Sequence, residues 1–220
     1  MDFQYLLFDL DGTLTDPAIG ITNSIMYALK KFGIEVNDRS ELYMFIGPPL
    51  EESFKKYCGF LQKDAKRAVE YYREYYRDRG IFENKVYDGI YELLKLMKEK
   101  GKTILLATSK PEVFAKQILE HFNLAGYFDF VAGSELDGSR VNKDEVIRYA
   151  LDSCNIKDLS KAIMIGDREY DITGAKKIGI KSMGVLYGYG DRRELEKAGA
   201  DYIMDTVEDI KRFFNKQWRS

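Results

Sequence analysis

The chain has 220 residues, with 34 Lys and Arg against 36 Asp and Glu, a formal net charge of −2, two cysteines and one histidine. That length holds one sizeable core plus a smaller lobe, and the interspersed, nearly balanced charge offers no basic footprint for a nucleic-acid polymer and no polybasic membrane anchor. No apolar run is long enough to cross a bilayer, Cys58 and Cys154 lack metal-ligand spacing, and His121 alone cannot build a histidine triad or a His-rich zinc site.

Met1-Asp2-Phe3-Gln4 leads directly into a strand expected over Tyr5–Leu10, with no room for a signal peptide, so the chain reads as cytoplasmic with reduced cysteines. Tyr5-Leu6-Leu7-Phe8 is a short apolar run of the kind buried on both faces of a sheet. It ends in Asp9-Leu10-Asp11-Gly12-Thr13. Strand alternation places Asp9 and Asp11 on one side, and two close carboxylates are costly unless a cation or a shared proton compensates. Gly12 lets the backbone turn away, and open α/β sheets bind ligands at this end of their strands. The ordinary alternative is Asp-Gly turn chemistry.

From Pro17 to Asn84 the chain reads as helical, with apolar faces over Ala18–Phe32 and Asp64–Arg79 and a shorter piece at Glu51–Tyr57. No strand interrupts this block. It is expected to form a separate all-helical lobe, 17–84, inserted into an α/β core made of 1–16 and 85–220. Tyr71, Tyr72, Tyr75 and Tyr76 form a stripe that reads as packing between helices rather than a base-stacking platform. Phe45-Ile46-Gly47-Pro48-Pro49-Leu50 reads as a rigid apolar turn, ordinarily an inter-helix connector.

Beyond residue 85, helices are expected over Tyr87–Lys100, Pro111–Phe122, Lys143–Asn155, Tyr170–Ile178 and Arg192–Ala198. Strands are expected over Thr103–Ala107, Asp129–Ala132, Ala162–Gly166, Lys181–Leu186 and Asp201–Met204. Strands alternating with helices imply a parallel, doubly wound α/β sheet; the last short strands continue it or form an antiparallel extension. Two strands repeat the layout of the first, ending in Thr108-Ser109-Lys110-Pro111 and Gly166-Asp167-Arg168-Glu169-Tyr170-Asp171, while Lys143 stands just before a helical stretch. Taken singly, Thr108 reads as a helix cap, Lys143 as a surface lysine and Asp167 as a turn acid.

Taken in order, Asp9-Leu10-Asp11-Gly12-Thr13, Thr108, Lys143 and Gly166-Asp167 with Asp171 resemble the four motifs of the haloacid dehalogenase-superfamily phosphatases, across nearly the whole chain. The resemblance implies a Rossmann-like core with a helical cap. It implies Asp9 as nucleophile and Asp11 as general acid and then base, with Mg²⁺ held by Asp9, the backbone carbonyl of Asp11 and Asp167. Asp171 would orient that shell or ligate directly. Thr108 and the Ser109 amide would grip the phosphoryl oxygens, and Lys143 would supply fixed positive charge. The Gly47-Pro48 turn would face the site and select the substrate. The wording is most similar to bacterial 5′-nucleotidases close to phosphoglycolate phosphatases. A small soluble phosphate ester is therefore expected, a nucleoside 5′-monophosphate first and phosphoglycolate as the alternative, with the protein a monomer or weak homodimer. A dehalogenase of the superfamily needs neither Asp11 nor a metal. A sugar phosphomutase shares the core, and a non-catalytic relative would have lost a motif residue.

Overall fold

The computed structural model describes residues 2–217. Its strands are β1 (Tyr5–Phe8), β2 (Thr15–Asp16), β3 (Lys85–Val86), β4 (Thr103–Pro111), β5 (Phe130–Ser134), β6 (Ala162–Gly166), β7 (Lys181–Val185) and β8 (Tyr202–Met204). Six of them form one sheet in the order β5-β4-β1-β6-β7-β8, with every pairing parallel. The apolar run Leu6-Leu7-Phe8 is fully buried because β1 lies mid-sheet, between β4 and β6. The helices of this part are α4 (Ile90–Glu99), α5 (Glu112–His121), α6 (Lys143–Ser153), α7 (Glu169–Ile178), α8 (Arg192–Ala198) and α9 (Val207–Gln217). The fold is the doubly wound parallel α/β class expected from the alternation of strands and helices, and its last strands continue the sheet in parallel.

This strand order fixes where a ligand can sit. After β1 the sheet grows towards β4 and β5, and after β6 it grows the other way, towards β7 and β8. The connections leaving β1 and β6 therefore diverge, which opens a crevice at their carboxyl ends. Asp9 follows β1 directly and Asp167 follows β6 directly.

Two strand ends and one helix differ from expectation in ways that bear on the site or the core. β1 stops at Phe8 rather than Leu10. The Asp9 amide still donates to the Ile165 carbonyl (2.9 Å), but the Leu10 carbonyl accepts from the amides of Leu14 and Thr15, so the chain has already curled into a turn. Asp9 and Asp11 are thus juxtaposed by that turn and not by strand alternation. β4 runs on to Pro111 across a register shift after Ala107. Helix α9 was not anticipated, although Val207, Ile210 and Phe214 are buried at helical spacing.

The chain divides into two compact units, one spanning Asp16–Lys85 and the other the rest of the described chain. The Asp16–Lys85 unit contains α1 (Ala18–Lys30), a 3₁₀ turn (Arg39–Phe45), α2 (Leu50–Cys58) and α3 (Gln62–Tyr75), which runs into a single π-helical stretch at Tyr76–Gly80. Tyr72 and Tyr76 are buried and stacked, ring centroids 5.1 Å apart, as packing residues should be. Gly47, at φ 103°, and Pro48 lie half-buried in the bend before α2.

Candidate active site

The side chain that organises the site is a buried lysine. Lys143 is the first residue of α6, fixed there by Asn142 and Glu145, which cap the helix reciprocally. Its ammonium lies 2.9 Å from Asp9 Oδ1 and 2.8 Å from Asp171 Oδ1, and donates to the Ala107 carbonyl at 3.1 Å. One cation thus ties together β1, β4 and the first turn of α7. Burial works against the Lys143 charge, but the Asp171 and Asp9 carboxylates outweigh it and hold the ammonium above its ordinary range.

The carboxylates of Asp9, Asp167 and Asp171 converge, each offering an oxygen within 4.8 Å of the others. Two glycines make the approach possible. A Cβ on Gly166 would overlap the Asp171 carboxyl, and one on Gly12 would overlap Asp167 Oδ2. Asp171 Oδ2 also accepts from the Arg168 amide (3.1 Å) at the start of α7, where a helix N-terminus favours negative charge. Burial pushes Asp167 well above the usual carboxylate range, with Asp171 and Asp9 adding to the effect. Asp171 is pushed up to about 6 by burial, against the pull of Lys143.

Asp11 has a cation of its own. Its Oδ2 lies 2.8 Å from Lys110 Nζ, both side chains nearly buried. Burial raises the Asp11 carboxyl, Lys110 opposes the rise, and Asp9 adds to it. Thr108, buried, and Ser109, half-buried, stand two and three residues beyond Leu106, the β4 residue paired with Phe8. The Ser109 carbonyl accepts from Ser134 Oγ at 2.8 Å, which fixes the end of β4 against β5.

Six of the expected residues, Asp9, Asp11, Thr108, Lys143, Asp167 and Asp171, are therefore buried at the carboxyl ends of β1, β4 and β6 and the N-termini of α6 and α7. Gly47 and Pro48 belong to the other unit. Sequence reasoning missed Lys110, whose importance comes from its ion pair with Asp11. It also missed the end of β7, where Tyr189 N donates to Asp167 Oδ2 (2.8 Å) and Tyr187 OH donates to the Thr13 carbonyl (3.0 Å). The available signal was the layout itself: β7 is another strand that runs out into glycine and polar groups, Leu186-Tyr187-Gly188-Tyr189-Gly190. The Tyr187 phenol is held well above its ordinary value by burial, with Asp167 and Tyr87 contributing.

Four acids, Asp9, Asp11, Asp167 and Asp171, face two ammonium groups, Lys110 and Lys143, and burial holds up the carboxyls of Asp11, Asp167 and Asp171, which a bound cation would let ionise. Apart from the Lys143 ammonium, Asp9 Oδ1 and Asp171 Oδ1 have no hydrogen-bond donor, and the buried Asp11 Oδ1 has none. Buried carboxyl oxygens short of donors, in a cluster with two more acids than ammonium groups, fit a divalent cation of the hard, oxygen-seeking kind.

Comparison with known proteins places this geometry. Residues 6–185 match the family model described as haloacid dehalogenase-like hydrolase. A 5′-nucleotidase of Pseudomonas aeruginosa is 48% identical over 88% of this chain and 87% of its own length. A phosphoglycolate phosphatase of Aquifex aeolicus is 30% identical over 94% of each chain. The crystal structure of a predicted phosphatase from Clostridium acetobutylicum superposes with a TM-score of 0.95, at 53% identity, covering 98% of this chain and all of that one. A buried acid cluster at the ends of central parallel strands, the motif order and these relatives agree: the chain belongs to the haloacid dehalogenase-like hydrolases and is a phosphatase of that family.

Proposed function

We propose that the protein is a Mg²⁺-dependent phosphomonoester hydrolase that works through a phosphorylated Asp9, with nucleoside 5′-monophosphates as its substrate class. The observation that carries the reading is the Lys143 ammonium, bonded at once to Asp9 and Asp171 inside a cluster that holds more acids than ammonium groups. Mg²⁺, held by Asp9, the Asp11 backbone carbonyl and Asp167, with Asp171 beside them, would supply positive charge where the phosphoryl oxygens and the nucleophile meet.

In the first step an Asp9 carboxylate oxygen attacks phosphorus, an oxygen–phosphorus bond forms to give an acyl phosphate, and the bond to the leaving oxygen breaks. Asp11 gives that oxygen its proton, so the alcohol leaves neutral. In the second step Asp11 takes a proton from water as the water attacks phosphorus, which frees Asp9 and releases inorganic phosphate. The upward push of burial on Asp11 supports its entering the cycle protonated. Thr108 and the Ser109 amide hold the phosphoryl oxygens, and Lys143 compensates charge on Asp9 and the transferring group. The Asp16–Lys85 unit serves as the helical cap, with the Gly47-Pro48 turn selecting the leaving group.

The nucleotide preference follows the named relative that is 48% identical; phosphoglycolate is the second reading, after the relative at 30%. Phosphate release should be measured across nucleoside monophosphates, phosphoglycolate and sugar phosphates, with Mg²⁺ and with EDTA. Turnover of AMP, UMP or IMP above the others, lost in EDTA and restored by Mg²⁺, is expected. A sharp preference for phosphoglycolate overturns the substrate assignment, and full activity in EDTA overturns the metal assignment.

A further inference from the structure

We propose that the loop after β7, Tyr187–Gly190, is a positioning element for the Asp167 carboxylate, so that the affinity for a divalent cation depends on a tyrosine, Tyr187, placed to hold the chain around that ligand rather than the ion. The inference rests on the reading of Asp167 as a ligand.

Two glycines of this loop are close-packed against Asp167. Neither Gly188 nor Gly190 has a positive φ, so neither is required by backbone conformation. What they permit is approach. A Cβ on Gly188 would reach 2.5 Å from Asp167 Oδ2 and would overlap Asp167 Cβ and the Gly12 carbonyl; a Cβ on Gly190 would overlap the Asp167 carbonyl. At that distance the loop delivers the Tyr189 amide to Asp167 Oδ2 at 2.8 Å. The other oxygen, Oδ1, accepts from Thr13 Oγ1 at 3.3 Å.

Thr13 is held in turn by the same loop. Tyr187 OH donates to the Thr13 carbonyl at 3.0 Å, and the Tyr187 ring packs edge-on against Tyr87, centroids 5.1 Å apart. The Tyr87 amide donates to the next carbonyl, that of Leu14, at 3.1 Å. Both donors to Asp167 are thus set by one loop, directly through the Tyr189 amide and indirectly through the Tyr187–Thr13 bond. A carboxylate gripped at each oxygen from outside keeps its remaining lone pairs in a fixed direction, and groups of this kind commonly govern metal affinity by 10- to 100-fold. Asp9 is held by Lys143, and Asp171 by Lys143 and the Arg168 amide, so of these three acids Asp167 is the one whose orientation is set without that lysine.

The test is a titration with Mn²⁺ alone, read by its electron paramagnetic resonance signal, on the wild-type chain and on Tyr187→Phe, Gly188→Ala and Asp167→Asn. Tyr187→Phe removes one hydroxyl and keeps the ring; it should bind Mn²⁺ about 10-fold more weakly. Its kcat should return to the wild-type value when Mg²⁺ is raised about 10-fold, because the ion then refills the site. Gly188→Ala should weaken Mn²⁺ binding at least as much, and serves as the readout if Tyr187→Phe does not fold. Wild-type Mn²⁺ affinity in whichever variant folds overturns the proposal, as does a loss of kcat that extra Mg²⁺ fails to restore. Asp167→Asn separates the two levels: if it binds Mn²⁺ like the wild type, the ligand reading itself fails, whereas its loss of binding beside an unaffected Tyr187→Phe refutes the positioning role alone.

Discussion

Lys143 illustrates how a single side chain can carry both stability and chemistry. Its ammonium stands 2.9 and 2.8 Å from carboxylates that would otherwise repel one another in a buried space. Lys143→Met is therefore expected to destabilise the fold by about 3–5 kcal/mol, since removing one partner of a buried pair strands the other; urea unfolding without divalent ions checks this. Asp9→Asn acts differently. It keeps the shape and removes the oxyanion proposed to attack phosphorus, so turnover should fall by at least about 10³-fold while the circular dichroism spectrum stays unchanged. Substantial turnover in that variant would contradict the nucleophile assignment. Lys110 shows the limit of reading residues singly. Nothing about its place after Thr108-Ser109 announces an ion pair, because the pairing depends on β4 lying beside β1.

The regular elements were the most readable level. Runs such as Leu6-Leu7-Phe8 and Ile163-Met164-Ile165 carry no polar alternation because both faces are covered, and the alternation of strands with helices pointed to a parallel sheet. Strand ends were less readable. Whether Asp9 and Leu10 prolong β1 is decided by the Leu10 carbonyl accepting from Leu14 and Thr15, bonds that no local pattern specifies. Helix α9 is hard to read because its few apolar positions, Val207, Ile210, Phe213 and Phe214, are set among charged residues. The loop after β7 was passed over because Thr13, which its tyrosine holds, is 174 residues away. Close packing between elements also gives a prediction. The first turn of α1 meets the π-helical stretch where a Cβ on Gly20 would overlap the Gly80 carbonyl, a backbone atom that cannot swing aside. Gly20→Ala should cost about 1–3 kcal/mol or more in urea unfolding, and a neutral effect would show that this crossing tolerates separation.

For the molecule as a whole, a divalent ion held at the acid cluster would couple ion binding to folding. A cation that binds the folded chain at 100 times its dissociation constant stabilises it by about 2.7 kcal/mol, roughly 5–10 °C in Tm for a chain of this size. Differential scanning fluorimetry with Mg²⁺ should show that rise, and Asp167→Asn should abolish it; an equal rise in both would place the ion elsewhere. A different consequence follows from the way the chain enters and leaves its Asp16–Lys85 unit. The crossings are β2 and β3, which hydrogen-bond to each other as a two-stranded ribbon. Ends that are already neighbours cost little entropy to rejoin. The segment between them is therefore expected to behave as an exchangeable cassette: a chimera grafting the corresponding stretch of a relative onto this ribbon should still fold, and should inherit the donor's taste in leaving groups while keeping its own acids and lysines.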